Sequence, residues 1–482
     1  FILNYATVSG GAIYCKQTGH VADTNQKSYG QMTAISITNL DCFFLHNNVN
    51  TDCNLVKLRN KKIIFTGGAI SLDEVISYSL NNIFCKFIKN AAFQGGGAVS
   101  SNSKLISDSN ITNLNCIFYG NLCGFKCKMF PKVNMYGAAV FVKNICNLIN
   151  YNVFLIDNSI YDNGQTQYGA GIFARDIPQV LCGESVLIGN QLYRKFFKLA
   201  SELGGGMAIK GSKQAHCLVA IFNCTFISNK LIGFVSLGGA IWTKMVYKIE
   251  IINSRFAYNY AAHHGGALYA VNTDVVLITK CKFLKNNGHY HGGALFLENH
   301  RDTPLTRYLL FQCKFCAFFT NFAEHYGGAV SVIGLWNSFF LQCTFSNNIG
   351  ENAGGGIFFK DVFMPIYIKI KQSTIIKNSL FSQNNQTTTY FNFKSLEGGG
   401  AIHFKNVDEV KVVRCKFISN FAFKGGALVM NDVKSSQCIN CYFVNNKGRN
   451  GGVLLAHSTD IIEHYHCVYQ NNVAWLIHIT PA

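Results

Sequence analysis

A word of 26 to 27 residues recurs along the chain, and it limits the fold more than any other feature. Each copy opens on a Gly-Gly-Ala-aliphatic block and closes on Cys-x-Phe-x-x-Asn, as in Gly265-Gly266-Ala267-Leu268 followed by Cys281-Lys282-Phe283 and Asn286. With the small residue of the first block as marker, copies fall at Ala12, Ala69, Ala98, Ala139, Gly171, Gly206, Ala240, Ala267, Ala294, Ala329, Gly356, Ala401, Ala427 and Val453. A fixed period of this length signals a solenoid, in which each unit buries its apolar face only against its neighbours. Short β-branched and aromatic runs bounded by polar turn residues read as strands, with no helical spacing sustained over ten residues. The expectation is an all-β, right-handed parallel β-helix of about 14 coils, one continuous body over 1–482, with loops inserted mainly on one edge.

Strand neighbours alternate faces, so the columns assign side chains to inside or outside. One place after the marker every residue is aliphatic or Met, from Ile13 to Leu454, and this column reads as core. Cys and Phe two apart share another inward face, with Ser254 and Ser379 standing in for Cys. The Asn three places after the aromatic reads as a stacked corner ladder in left-handed backbone, which Asn tolerates.

Apolar residues make up 49% of the 482, enough for a long core, and 5 prolines leave the strands free to pair. No uncharged apolar run reaches the roughly 18 to 20 residues of a membrane span. The chain opens on Phe-Ile-Leu-Asn, not Met, and reads as processed or partial, with any leader or anchor outside it. Against 24 acidic residues stand 42 Lys and Arg, a balance that suits anionic partners. Of the 19 cysteines, ten occupy the one inward column and read as buried thiols packing as small apolar groups. Cys123 and Cys127, in one inserted loop, are the candidates for a disulfide. Sequons at Asn110, Asn223 and Asn385 permit N-glycosylation.

The alternation of Gly-Gly-Ala-(Ile/Leu/Val) with Phe-x-x-Asn resembles the passenger repeats of chlamydial polymorphic outer-membrane proteins. It covers nearly all of the chain, from Gly10 to Asn472. What the resemblance implies is a β-helix exposed outside the cell, at the cell surface, in an adhesive or structural role. The chain departs from that family in its high positive charge, and no C-terminal membrane barrel is expected within these residues.

Three outward features are candidate contacts. Four places after the marker come Lys16, Lys143, Arg175, Lys210, Lys244, Lys360 and Lys405, a broken basic stripe for an anion such as acidic polysaccharide, or a solvated turn. Two places after it come Tyr14, Phe141, Phe173, Trp242, Tyr269, Phe296 and Phe358. Between two inward positions these should face outward, where inserted loops cover them or a sugar chain or second protein meets them. Third, long insertions enter between the corner Asn and the next Gly-Gly, at 47–67, 121–137, 190–204 and 384–398. Histidines 263, 264, 289, 291 and 325 precede the glycines of three successive copies, as a ring stack or a metal site, the stack being favoured.

The enzymes of this architecture use clustered carboxylates on neighbouring coils, for calcium or for paired acid and base. Here acids are sparse and recur at no common strand position, so a polysaccharide lyase or hydrolase is a remote alternative. No enzyme activity, cofactor, metal or nucleic-acid partner is expected. The chain reads as an extracellular structural protein forming homo-oligomers or a filament, its ends lacking the polar caps of soluble solenoids. The alternative is a monomeric adhesin for acidic glycans.

Overall fold

A computed structural model describes residues 5–6, 11–16, 35–49, 67–73, 75, 77–93, 95–124, 134–162, 166–194, 201–212, 216–233, 235–299, 309–334, 337–360, 373–387 and 397–474. All regular structure among them is strand, and the strands pair in parallel. The chain divides into two compact units, Phe1–Ser236 with Ile241–Tyr247, and Leu237–Ala240 with Lys248–Ala482.

In the first unit one coil runs through Ile172–Arg175, Gln179–Gly183, Val186–Ile188 and Gln191–Arg194. Each strand pairs with its counterpart one copy away, so Val140 lies beside Ile172 and Ile172 beside Met207. In the second unit Leu268–Val271, Val275–Thr279, Lys282–Leu284 and Asn287–Gly288 repeat the plan. Parallel pairing in matched register stacks like on like, which turns a sequence repeat into columns of identical side chains. The all-β parallel coil expected from the repeat is the architecture observed.

The inward columns form the core. In the second unit Phe256, Phe283, Phe318, Phe345, Phe381, Phe417 and Phe443 stack ring on ring, with centroids 4.7 to 5.0 Å apart. That separation is the spacing between paired strands, so the backbone itself sets the stacking distance. Each buried ring contributes roughly 1.5 to 3 kcal/mol by leaving water.

Two left-handed corners bound the three-residue strands. One precedes the Cys position, as at Lys280 (φ 55°) and Arg414 (φ 52°), and the other precedes the Asn, as at Lys285 (φ 50°) and Ser419 (φ 53°). This corrects the expectation for the Asn column: the left-handed residue is the one before it. The Asn is turned inward instead, fully buried, its amide bonded to the next copy. Asn321 donates from Nδ2 to Asn348 Oδ1 (2.9 Å) and to the Phe283 carbonyl (3.1 Å). Its own Oδ1 accepts from the backbone N–H and Nδ2 of Asn286, both at 3.0 Å. Asn158 and Asn190 belong to the same column in the first unit.

The corner also accounts for the Cys position. From there a side-chain donor reaches the carbonyl two residues back: Cys116 Sγ to Leu114 (3.2 Å), Ser254 Oγ to Ile252 (2.9 Å), Ser379 Oγ to Lys377 (3.0 Å). Serine and cysteine interchange there because both supply that donor. The described cysteines are in the thiol form.

The two glycines differ in what they require. The first takes a left-handed φ, +62° at Gly292, where a Cβ would also lie 2.1 Å from the Leu295 carbonyl oxygen. The second leaves room for the next coil, since a Cβ on Gly293 would meet the Gly328 carbonyl oxygen at 2.1 Å.

Candidate functional site

Six of the seven aromatic residues expected to face outward are covered. Phe141, Phe173, Trp242, Tyr269, Phe296 and Phe358 are 1 to 4% exposed, and Tyr14 alone is open, at 45%. Their cover comes from the residues just before the glycines. In the first unit Tyr136 stacks on Phe141 and Phe173, both at 5.1 Å, and Tyr168 lies 4.8 Å from Phe173. In the second, His264 and His291 lie 4.9 and 5.4 Å from Phe296, and Tyr326 stacks on Phe358 at 4.5 Å. The left-handed first glycine folds the preceding segment back over the strand, so simple alternation fails there. The histidines and the aromatic column are therefore one cluster, not two features.

The stacking expected of the histidines is present: His264 on His291 at 4.8 Å, and His291 on Tyr326 at 5.0 Å. A second stack beside it runs His263, Tyr290, His325, with both steps at 4.8 Å. Burial holds His264 down to about 3 and His291 to about 4, so both rings are neutral at physiological pH. Among the described residues no group of His, Cys, Asp and Glu is arranged to hold a metal ion. On the outer rim His289 meets Glu324 at 2.6 Å. Glu324 and Glu351 hold equivalent places on successive coils, a recurrence of acids at a turn that the strand columns did not reveal. Burial and then the Glu324 charge lift the Glu351 carboxyl above its ordinary range, while His325 and His289 pull it back.

The basic residues divide into two short runs. In the first unit Lys143, Arg175, Lys210 and Lys244 are register partners on four successive coils. In the second, Lys360 pairs with Lys405, and Ile333 and Asn431 flank them. Lys16 lies at the end of Ile13–Lys16, next to Asp73. The stripe is thus continuous only from Lys143 to Lys244.

A feature absent from the sequence reading lies on the outer face of the first unit. Three columns run across six coils: Leu40, Ile83, Leu114, Tyr151, Gly183, Phe222; Phe43, Lys86, Ile117, Phe154, Val186, Thr225; and Leu45, Ile88, Tyr119, Ile156, Ile188, Ile227. All but Gly183, Lys86 and Thr225 are apolar, and the Phe222 ring lies over Gly183. Leu40 is 62% exposed and Phe43 48%. Equivalent positions in the second unit carry Arg255, Lys282, Lys314, Lys377 and Lys416, so the largely apolar face belongs to the first unit alone. Its signal in the sequence was apolar residues beside the inward Phe or Leu of each of these coils.

Of the remaining candidates, Cys123 is fully buried, with Sγ 3.8 Å from the Phe93 carbonyl oxygen, and Cys127 lies outside the described residues. Most of the insertions at 47–67, 121–137 and 384–398, and the middle of that at 190–204, also lie outside them. Asn223 sits exposed at a left-handed corner (φ 53°), whereas Asn110 and Asn385 are half-buried. No helix among the described residues is long and apolar enough to cross a membrane.

A model of the Chlamydia polymorphic membrane protein (Chlamydia_PMP) repeat matches residues 1–16. No curated protein matches the chain. By that repeat, by its alternating words and by its stacked parallel strands, the chain resembles the β-helical regions of chlamydial polymorphic membrane proteins, a resemblance that implies a surface or outer-membrane-associated location.

Proposed function

We propose that the protein is a non-enzymatic structural component of a cell surface, and that its copies associate laterally as the protomers of a fibre do. The apolar outer face of the first unit carries this reading. Six coils at about 4.8 Å, and some five residues at about 3.3 Å, give it roughly 400 Å² in projection. That equals the largest apolar patch of an ordinary monomer, a size that usually marks a contact. A second copy is the occupant that fits best. The chain carries a net charge of +18, which opposes self-association elsewhere, yet this face holds one cation, Lys86, with the acids Asp41 and Glu184 at the corner between its columns. Two such faces can approach as stacked sheets do, about 10 Å apart, with few charges to desolvate.

The area is about half that of a standard interface per partner. A single contact is therefore weak, and stable assembly rests on repeating it. The acids give no support to a catalytic role: Glu324 is engaged with His289 on an open rim.

Sedimentation velocity over a concentration series tests this. The wild-type coefficient should rise with concentration, and Ile156→Lys with Ile188→Lys should abolish the rise. Ser346→Lys, at the same coil position in the second unit, should not. A wild type that stays monomeric throughout, or a double variant that associates as the wild type does, overturns the proposal.

A further inference from the structure

A second outward column of the first unit has the opposite character, and it goes beyond the self-association reading. Lys143, Arg175, Lys210 and Lys244 end equivalent stretches of four neighbouring strands and lie side by side in register. Strand spacing places one cation about every 4.8 Å along the coil axis. Arg175 pairs with Asp176 at 3.0 Å. Among the described residues Lys210 has no ion pair of its own: its ammonium is held below the ordinary lysine range by burial, then by Arg175 and Lys244, with Asp176 pulling the other way. The like charges are thus close enough to feel one another, and an added anion relieves that repulsion.

We infer that this column is a binding site for a linear acidic polysaccharide lying along the coil axis, with successive carboxylates or sulfates against successive cations. Regular spacing favours a polymer with one charge per repeating unit over a compact anion, which would reach one or two of the four. A nucleic-acid strand fits less well. Binding of single strands depends on aromatic faces open to the bases, whereas Phe141, Phe173 and Trp242, two residues before Lys143, Arg175 and Lys244, are at most 4% exposed. Arg175 fixes the orientation of one anion by its planar fork, and the lysines act as point charges that tolerate differences in the sugar.

Titration calorimetry of the full chain with polygalacturonate, dextran sulfate, galacturonic acid and single-stranded DNA, at low and moderate salt, tests the site. Both polymers should bind and the monosaccharide should not. Preference between them assigns the anion as carboxylate or sulfate. Replacing Lys210 and Lys244 together by Gln should weaken polymer binding about tenfold or more and flatten the salt dependence by about two contacts. Lys282→Gln, in the second unit, should leave it unchanged. Each variant is first checked for the wild-type far-ultraviolet spectrum and sedimentation, which also separates loss of this site from loss of self-association. Equal binding by wild type and the double variant, no binding of either polymer, or tighter binding of DNA than of both, overturns the inference.

Discussion

Replacing Asn321 by Ala removes four hydrogen bonds at one point of the second unit. Lost are the bonds from Asn321 Nδ2 to Asn348 Oδ1 and to the Phe283 carbonyl, and those from the backbone N–H and Nδ2 of Asn286 to Asn321 Oδ1. Asn286, Asn321 and Asn348 are all fully buried, so no water replaces the missing partner. A net 0.5 to 1.5 kcal/mol per bond gives a loss of about 2 to 6 kcal/mol, toward the upper end because an N–H and a carbonyl are left stranded. The backbone N–H of Asn321 keeps its own bond to Asn348 Oδ1 (3.0 Å) and adds nothing to the loss. Because a solenoid's coils couple mainly to neighbours, the loss should appear first as local opening. Native-state hydrogen exchange should show lost protection at 286, 321 and 348, with remote coils such as 420–446 changed least. Asn321→Asp, which keeps the acceptor for Asn286 but buries a charge and sets its second oxygen against Asn348 Oδ1 and the Phe283 carbonyl, should do no better. A loss under about 1 kcal/mol, or exchange rising uniformly along the chain, would refute the reasoning that these amides staple coil to coil.

Three further outcomes follow from the same geometry. Phe318, stacked 4.8 Å from Phe283 and 4.7 Å from Phe345, should cost about 3 to 5 kcal/mol as Ala and much less as Leu in denaturant unfolding; Leu155 and Leu187 already hold that place in the first unit. Gly292→Ala combines a φ of +62° with a contact to its own turn and should cost about 3 kcal/mol. Gly293→Ala should cost less, because Ala138 and Ala170 occupy the second-glycine place in two coils; the ranking is read from paired thermal melts. His403 is fully buried and held down to about 3, by burial first and Lys405 second, against a hydrogen bond to the Gly398 carbonyl that raises it. Its folded value is below the ordinary 6.5, so the unfolded chain takes the proton first. Stability is therefore complete above pH 6.5 and declines as pH falls toward 3, by about 2 kcal/mol at pH 5. His403→Phe should lower stability at neutral pH and flatten that decline.

Much of the fold was legible in the repeat because parallel stacking imposes one environment on every copy. The aliphatic column after the marker, the Phe column and the Asn column needed no more than alignment of the copies. Position of the left-handed corner was not legible: His46, Lys89, Ser228 and Tyr258 share no composition, and the Asn beside them drew the assignment. Asn158 and Asn190 escaped because Cys-x-Phe becomes Val153-x-Leu155 and Ser185-x-Leu187 in their coils. Burial of Phe141, Phe173 and Trp242 was hidden by assuming that alternation continues through a glycine corner. The apolar outer face went unread because attention to the inward Phe or Leu leaves its neighbours, Ile117 and Tyr119 or Val186 and Ile188, unexamined as a pattern. The cation column was visible as a list, but its continuity from Lys143 to Lys244 required the register.

Electron microscopy of the native, unconcentrated material tests lateral assembly of copies on a surface most directly. Protomers paired or bundled side by side, and dispersed by Ile156→Lys with Ile188→Lys, are the predicted result; isolated single particles in both preparations would contradict it.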